Sequence, residues 1–324
     1  MHTVSDIHNC ISKGFASLSA PKEPRALYEP AHYMIAAGGK RLRPTLCLLA
    51  YQLFHDHIDN QVLYPALGLE VFHAFTLVHD DIMDAAELRR GLPTVHCKWN
   101  TNTAILSGDV MCIDAYSLML QCQPQLMPQI LKTFSHTAAQ VCEGQQYDMS
   151  YEYLRQISMQ DYLHMISLKT AVLIAASAQI GGFCAEVSPE DARHLYDFGH
   201  ALGLGFQIRD DYLDSFGSPD SFGKSIGGDI LNNKKTWLLV HALHQAQGHT
   251  LNWLQRLLAM NHSHEEKIEG ITEIYQQLDL PLAAEAKIQE FHHLALQALD
   301  RVACDDKRKD TLRQYTQSLL IREK

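Results

Sequence analysis

Residues 67–84 read LGLEVFHAFTLVHDDIMD, a mostly apolar run that ends in acids. Leu67, Val71, Ala74, Val78 and Ile82 recur at spacings of three and four, the period of a helix with a continuous apolar face. A long buried α-helix is therefore predicted, and it ends in Asp80-Asp81-Ile82-Met83-Asp84. Side chains four apart on a helix lie one above the other, so Asp80 and Asp84 share a face. The same acidic pattern returns as Asp210-Asp211-Tyr212-Leu213-Asp214, behind the apolar Phe206-Gln207-Ile208. With 22 Asp in 324 residues, chance supplies about 0.1 such patterns per chain, and two in roughly one chain in two hundred.

Carboxylates stacked this way repel one another, and an apolar helix adds a desolvation cost. A hard divalent cation that accepts carboxylate oxygens relieves both. Magnesium commonly takes one or two carboxylates and completes its shell with substrate phosphates. The paired motifs therefore read as a magnesium–diphosphate site carried by two facing helices.

Helical spacing continues along most of the chain, and alternating β-branched runs are essentially missing. Ser188-Pro189-Glu190-Asp191 reads as a helix start, with a cap residue ahead of proline and acids. Breakers punctuate the chain at residues 21–24, 38–39, 91–93, 124–128, 181–182 and 217–228. The surroundings of the two acidic motifs do not align further, so no internal repeat is inferred. The expectation is all-α: one large helical domain over residues 1–324, with ten or more helices and a central cavity.

A hydrophobic fraction of 46% suits a large core, and a net charge of -10 argues against a nucleic-acid partner. That charge also looks wrong for anionic substrates, unless metal ions and a few local cations supply the positive charge. Eight Cys without CxxC spacing give no zinc signature and fit a reducing cytoplasm. Residues 1–13 lack the features of a signal peptide, and the apolar run 171–183 is too short to span a bilayer. No membrane anchor is expected.

Cations flank both acidic motifs. Arg89-Arg90-Gly91 follows the first, at the expected end of the same helix; these guanidiniums either pair with the acids or grip phosphate bidentately. Gly38-Gly39-Lys40-Arg41-Leu42-Arg43-Pro44 is a basic loop entering a helix, its glycines letting the backbone approach an anion. Phe222-Gly223-Lys224 and the run from Gly228-Asp229 to Lys234-Lys235-Thr236 add a second glycine-rich basic segment. Two diphosphates bound together would need this inventory.

In this order, these motifs resemble the trans-isoprenyl diphosphate synthases, the polyprenyl synthetase family of farnesyl and geranylgeranyl diphosphate synthases. The likeness also includes His79, Lys169-Thr170 and Gly205-Phe206-Gln207-Ile208-Arg209. It implies an all-α fold, a homodimer, and two to three magnesium ions per site, with manganese as a substitute. It assigns the metal to Asp80, Asp84 and Asp210, supported directly or through water by Asp81, Asp211 and Asp214. It assigns the allylic diphosphate to Arg89, Lys169 and Lys234, with Lys224 closing over the site. Isopentenyl diphosphate falls to Gly39, Lys40, Arg43, His73 and Arg90; His73 stands where some members carry Gln. Thr170 and Gln207 would turn oxygen dipoles toward an allylic cation.

A helix rises about 5.4 Å per turn, close to one isoprene unit. A substrate tail anchored at Asp80 and running back along its helix meets Thr76 and Phe75, then Phe72. In the family, bulk at the first two of these positions forms the floor of the chain-length pocket, so Phe75 beside Thr76 implies a C15–C20 product. Three rival readings fit less well. A terpene cyclase has a different second metal motif and no use for the basic loop. A non-catalytic partner subunit usually loses acids that this chain keeps. A metal phosphohydrolase built on His79-Asp80 needs further His ligands.

Overall fold

Apolar residues at helical spacing form helices throughout the computed structural model, which describes residues 2–18, 23–217, 227–260 and 264–320. In chain order they are α1 (Val4–Leu18), α2 (Arg25–Ala36), α3 (Leu42–Gln52), α4 (Asn60–Met83), α5 (Val95–Lys98), α6 (Thr101–Met119), α7 (Met127–Glu152) and α8 (Met159–Ile166). A π-turn (Ser167–Ala171) leads into α9 (Val172–Cys184), followed by α10 (Pro189–Phe216), α11 (Gly228–Leu231), α12 (Trp237–Gln245) and α13 (Gly248–Leu258). The chain closes with α14 (His264–Gln277), α15 (Leu280–Asp300) and α16 (Asp306–Leu320). Among the described residues the only sheet is a hairpin of β1 (Leu88–Arg89) and β2 (Leu92–Pro93).

The chain forms two compact units. The first comprises residues 1–137, 173–199 and 298–315; the second comprises 138–172, 200–297 and 316–324. Within the first, α4 packs chiefly on α6 and α3. Leu67, Val71, Ala74 and Val78 are buried along its inner face, as their spacing predicts. Asp59 caps its start, accepting from the Gln61 and Val62 amides at 2.9 and 3.2 Å. Within the second unit, α8 packs on α12, and Tyr162, Ile208, Leu213, Trp237 and Tyr275 are buried.

The Ser188 start of α10 is as read: its hydroxyl accepts from the Asp191 amide at 3.0 Å and donates to the Asp191 carboxylate at 2.8 Å. Two local expectations are corrected. Gly181-Gly182 does not break the chain but lies inside α9. A side chain at Gly181 would collide with the Cys47 carbonyl, and one at Gly182 with Leu195, so both glycines serve close packing. Arg89 and Arg90 do not end α4. The helix stops at Met83 because Ala85 turns left-handed (φ 50°), and the Ala85 and Ala86 amides close back on the carbonyls of Ile82 and Asp81. The arginines then fall on the hairpin.

Two helical runs, Asn60–Met83 and Met159–Cys184, are long and apolar enough by composition to cross a membrane, but most of each is buried inside the protein.

Candidate active site

At the end of α4 the Asp84 amide bonds the Asp80 carbonyl at 2.8 Å, so the two aspartates are stacked one turn apart. Asp84 is exposed and Asp80 half-buried, whereas Asp81 is only 1% exposed. Arg89, on the hairpin, takes Asp81 in a forked contact: Nε and Nη2 each lie 2.7 Å from Oδ1. Its Nη2 reaches Asp80 Oδ2 at 3.8 Å. Burial pushes the Asp81 carboxyl up against the pull of Arg89. Burial also works against the Arg89 guanidinium, but the acids around it prevail and hold it more firmly charged. Arg89 thus pairs with the motif while lying beside Asp80. His79 points elsewhere: its Nε2 contacts the Ile105 carbonyl at 3.1 Å on α6.

The basic loop meets this helix about two to three turns earlier, at His73 and Glu70. Gly38 and Gly39 have positive φ (74° and 121°), and Arg41 is left-handed (φ 48°) at the head of α3. A side chain at Gly39 would overlap the Arg90 guanidinium, which bonds the Gly38 carbonyl. Arg41 is committed elsewhere: it pairs with buried Glu70 on α4 at 3.0 Å and stacks on Phe15. Arg43 is 9% exposed, and among the described residues its Nε meets no acceptor. Burial first, then Arg90, brings its pKa down to about 10 against the support of Glu70. Lys40 stands exposed on the loop.

His73, on α4 three residues after Glu70, lies in the field of Arg43, Arg90, Arg89 and Arg41. Burial first and these charges second hold its pKa well below the usual imidazole range. At neutral pH it is an uncharged group among cations. Below about pH 6.5 the unfolded chain takes a proton that the folded chain refuses, so stability falls with falling pH. We expect denaturant unfolding between pH 7 and 5.5 to show wild type losing up to about 1.4 kcal/mol per pH unit more than His73→Gln below that point. Parallel pH profiles would contradict this reading.

In the second unit the acids of α10 divide. Asp211 is 4% exposed and saturated by protein donors. Tyr162 Oη and the Trp237 amide each donate to Oδ2 at 2.7 Å, and Gln207 Nε2 donates to Oδ1 at 2.9 Å. Burial and the nearby Asp229 push its carboxyl up to about 7 against these donors. Asp214, 3% exposed, accepts from the Asp229 amide at 3.0 Å, fixing the start of α11. Asp210 is half-buried. The Thr170 hydroxyl donates to Gln207 Oε1 at 2.8 Å, which brings these two side chains into contact.

Lys169 and Thr170 sit on the π-turn, an irregularity frequent at functional sites. Gly144 of α7 makes room for it, since any side chain there would collide with the Lys169 backbone. One turn on, Asp148 holds Lys169 at 2.5 Å and Lys234 at 3.6 Å, and Glu152 reaches Lys234 at 3.4 Å. Burial raises the Asp148 carboxyl, but the two lysines outweigh it and keep it below the usual carboxylate range. Lys224 lies outside the described residues.

Phe75 and Thr76 are half-buried on α4. Phe75 packs on Phe72 (5.3 Å between centroids) and edge-on to His79 (4.9 Å), while Phe72 meets Phe134 of α7 at 5.2 Å. Thr76 spends its hydroxyl on the His73 carbonyl at 2.8 Å.

Among the described residues no three His, Cys, Asp or Glu side chains converge as a ready-made metal cage. The donor set suits magnesium, which binds through one or two carboxylates and substrate phosphates, better than zinc, which wants four closed ligands. Sequence reading missed Glu70, Asp148, Glu152 and Tyr162. A weak signal existed for Asp148, which stands one helical turn after Gly144 and so shares its face.

The polyprenyl synthetase family model matches residues 24–277, which take in parts of both units. The chain is 35% identical over 299 residues to a geranylgeranyl diphosphate synthase of Sulfolobus acidocaldarius, covering 91% of this chain and 89% of that one. It is 38% identical over 221 residues to the geranylgeranyl diphosphate synthase of Methanosarcina mazei, covering 68% of each. A crystal structure of a geranylgeranyl pyrophosphate synthase superposes over 100% of both chains with a TM-score of 0.95 at 38% identity.

Proposed function

The chain belongs to the polyprenyl synthetase family, and from that premise we propose that it is a trans-prenyltransferase. It condenses isopentenyl diphosphate with an allylic diphosphate head to tail, giving a C15–C20 prenyl diphosphate. The observation that carries this reading is the company of each acidic motif. Asp80 and Asp84 stand beside Arg89, next to the Arg43–His73–Arg90 cluster. The Asp210 segment shares a network with Thr170, neighbour of the tethered Lys169.

The allylic C–O bond breaks, and diphosphate leaves with the electron pair. Arg89, Lys169 and Lys234 hold that leaving group and neutralise its growing charge. Asp80, Asp84 and Asp210 would hold magnesium, which supplies further positive charge against the same oxygens. Thr170 and Gln207 face the cation with lone pairs. Arg43, His73, Arg90 and the Gly39-Lys40 loop orient isopentenyl diphosphate, whose double bond closes the new C–C bond. A proton is then lost from the adjacent carbon, with the departed diphosphate as the nearest base. Exclusion of water from the site would protect the cation from quenching. A neutral His73 can donate one N–H to phosphate without adding to a crowd of cations.

Phe75 closes the product pocket. Phe75→Ala is expected to lengthen the product by at least one five-carbon unit, read by chromatography of the dephosphorylated alcohols. An unchanged distribution removes Phe75 as the floor, and a wild-type product above C25 overturns the length assignment. Leu106 and Ile113 on α6 and Leu120 just past its end are 59%, 64% and 44% exposed at seven-residue spacing, an apolar stripe suited to a second copy of the chain. Ile113→Asp is expected to shift a dimer to monomer by light scattering; a wild-type monomer contradicts the dimer. The eight free thiols suit a cytoplasmic location.

A further inference from the structure

Four side chains of the second unit form one directed hydrogen-bond chain. It starts at Tyr162 of α8, a phenol only 1% exposed, whose hydroxyl donates to Asp211. The Trp237 amide donates to the same carboxylate oxygen. The other oxygen accepts from the Gln207 amide nitrogen, and the Gln207 carbonyl accepts from the Thr170 hydroxyl. A glutamine amide has two ends of similar size, and only its partners decide which end faces which way. Ionised, Asp211 can only accept at both oxygens, so Gln207 turns its NH2 group to Asp211 and its carbonyl away. That carbonyl consumes the single Thr170 proton, so the Thr170 oxygen offers only lone pairs to anything else. Flipped, the same amide would present N–H where a cation needs an acceptor.

We propose that Tyr162 is a positioning residue for prenyl transfer: it anchors Asp211, which locks the Gln207 carbonyl and the Thr170 oxygen as acceptors facing the allylic cation. The inference rests on the prenyltransferase reading. Dipoles fixed before the charge appears need no reorganisation when the C–O bond breaks. A carboxylate held by one backbone amide alone could rotate about its side-chain bonds. The buried phenol supplies the second donor on the same oxygen and removes that freedom. At 1% exposure, Tyr162 acts through Asp211 and Gln207.

A double-mutant cycle separates this role from packing. Tyr162→Phe keeps the ring and removes the donor. It is expected to lower kcat about tenfold with both KM values within twofold, and to cost less than twofold more in a Gln207→Leu background. An unchanged kcat for Tyr162→Phe, or the same tenfold loss in both backgrounds, overturns the proposal. Should Tyr162→Phe unfold at assay temperature, the polarity swap decides. Asp211→Asn offers Gln207 a donor and is expected to flip its amide. Adding Gln207→Glu restores an acceptor toward Thr170 and should recover at least half of the lost kcat on a logarithmic scale. No recovery overturns the proposal. A wild-type enzyme that fails to elongate any primer refutes the underlying reading instead, whereas normal elongation with an unaffected Tyr162→Phe refutes this inference alone.

Discussion

Asp80→Ala and Asp210→Ala are each expected to cut turnover by about three orders of magnitude or more while leaving far-UV circular dichroism unchanged. A carboxylate that holds a catalytic cation is asked for several kcal/mol at the transition state, and each 1.36 kcal/mol is a factor of about ten. Helix content should survive because neither residue is sealed in the core: Asp80 and Asp210 are half-buried. Their neighbours behave differently. Asp211 and Asp214 are buried and bonded to backbone and side-chain donors. Retained turnover in either variant, or full wild-type activity in excess chelator, contradicts the metal assignment.

The second large effect separates the two basic sites. Arg43→Ala is expected to raise KM for isopentenyl diphosphate about 10- to 100-fold, since hydrogen bonds to charged groups contribute about 1.5–3 kcal/mol. Its effect on the allylic substrate should be small. Lys169→Ala should do the reverse, depressing kcat/KM for the allylic diphosphate. The basis is the different anchoring of the two cations. Arg43 is buried in the field of Glu70, with its Nε meeting no acceptor among the described residues. Lys169 is tied to Asp148 together with Lys234. Steady-state kinetics with each substrate varied in turn reads the split, and equal effects of both variants on both substrates refute it.

Much of this was legible in the sequence because it is local. The period of Leu67, Val71, Ala74 and Val78 fixes the buried face of α4, and the same arithmetic stacks Asp84 on Asp80. Gly38 and Gly39 announce a loop that no ordinary residue follows easily. What escaped is non-local. Tyr162 and Asp211 are 49 residues apart, and nothing in either neighbourhood predicts their bond. Glu70 reads as one polar residue on an apolar helix until Arg41 comes back to meet it. Gly181-Gly182 looks like a breaker because its reason, the close approach of α3 and Leu195, is tertiary. The hairpin bearing Arg89 depends on a left-handed alanine that propensity does not favour.

If these residues run chain elongation, the products formed from defined substrates report it. The purified protein is incubated with isopentenyl diphosphate and dimethylallyl, geranyl or farnesyl diphosphate, with magnesium or with chelator, and products are read by liquid chromatography with mass spectrometry. Linear trans-prenyl diphosphates extended in five-carbon steps to C15–C20 are expected, with one inorganic diphosphate released per step, and none of this in chelator. Isopentenyl diphosphate left unconsumed with every primer, or a cyclised hydrocarbon formed from the allylic substrate alone, would contradict it.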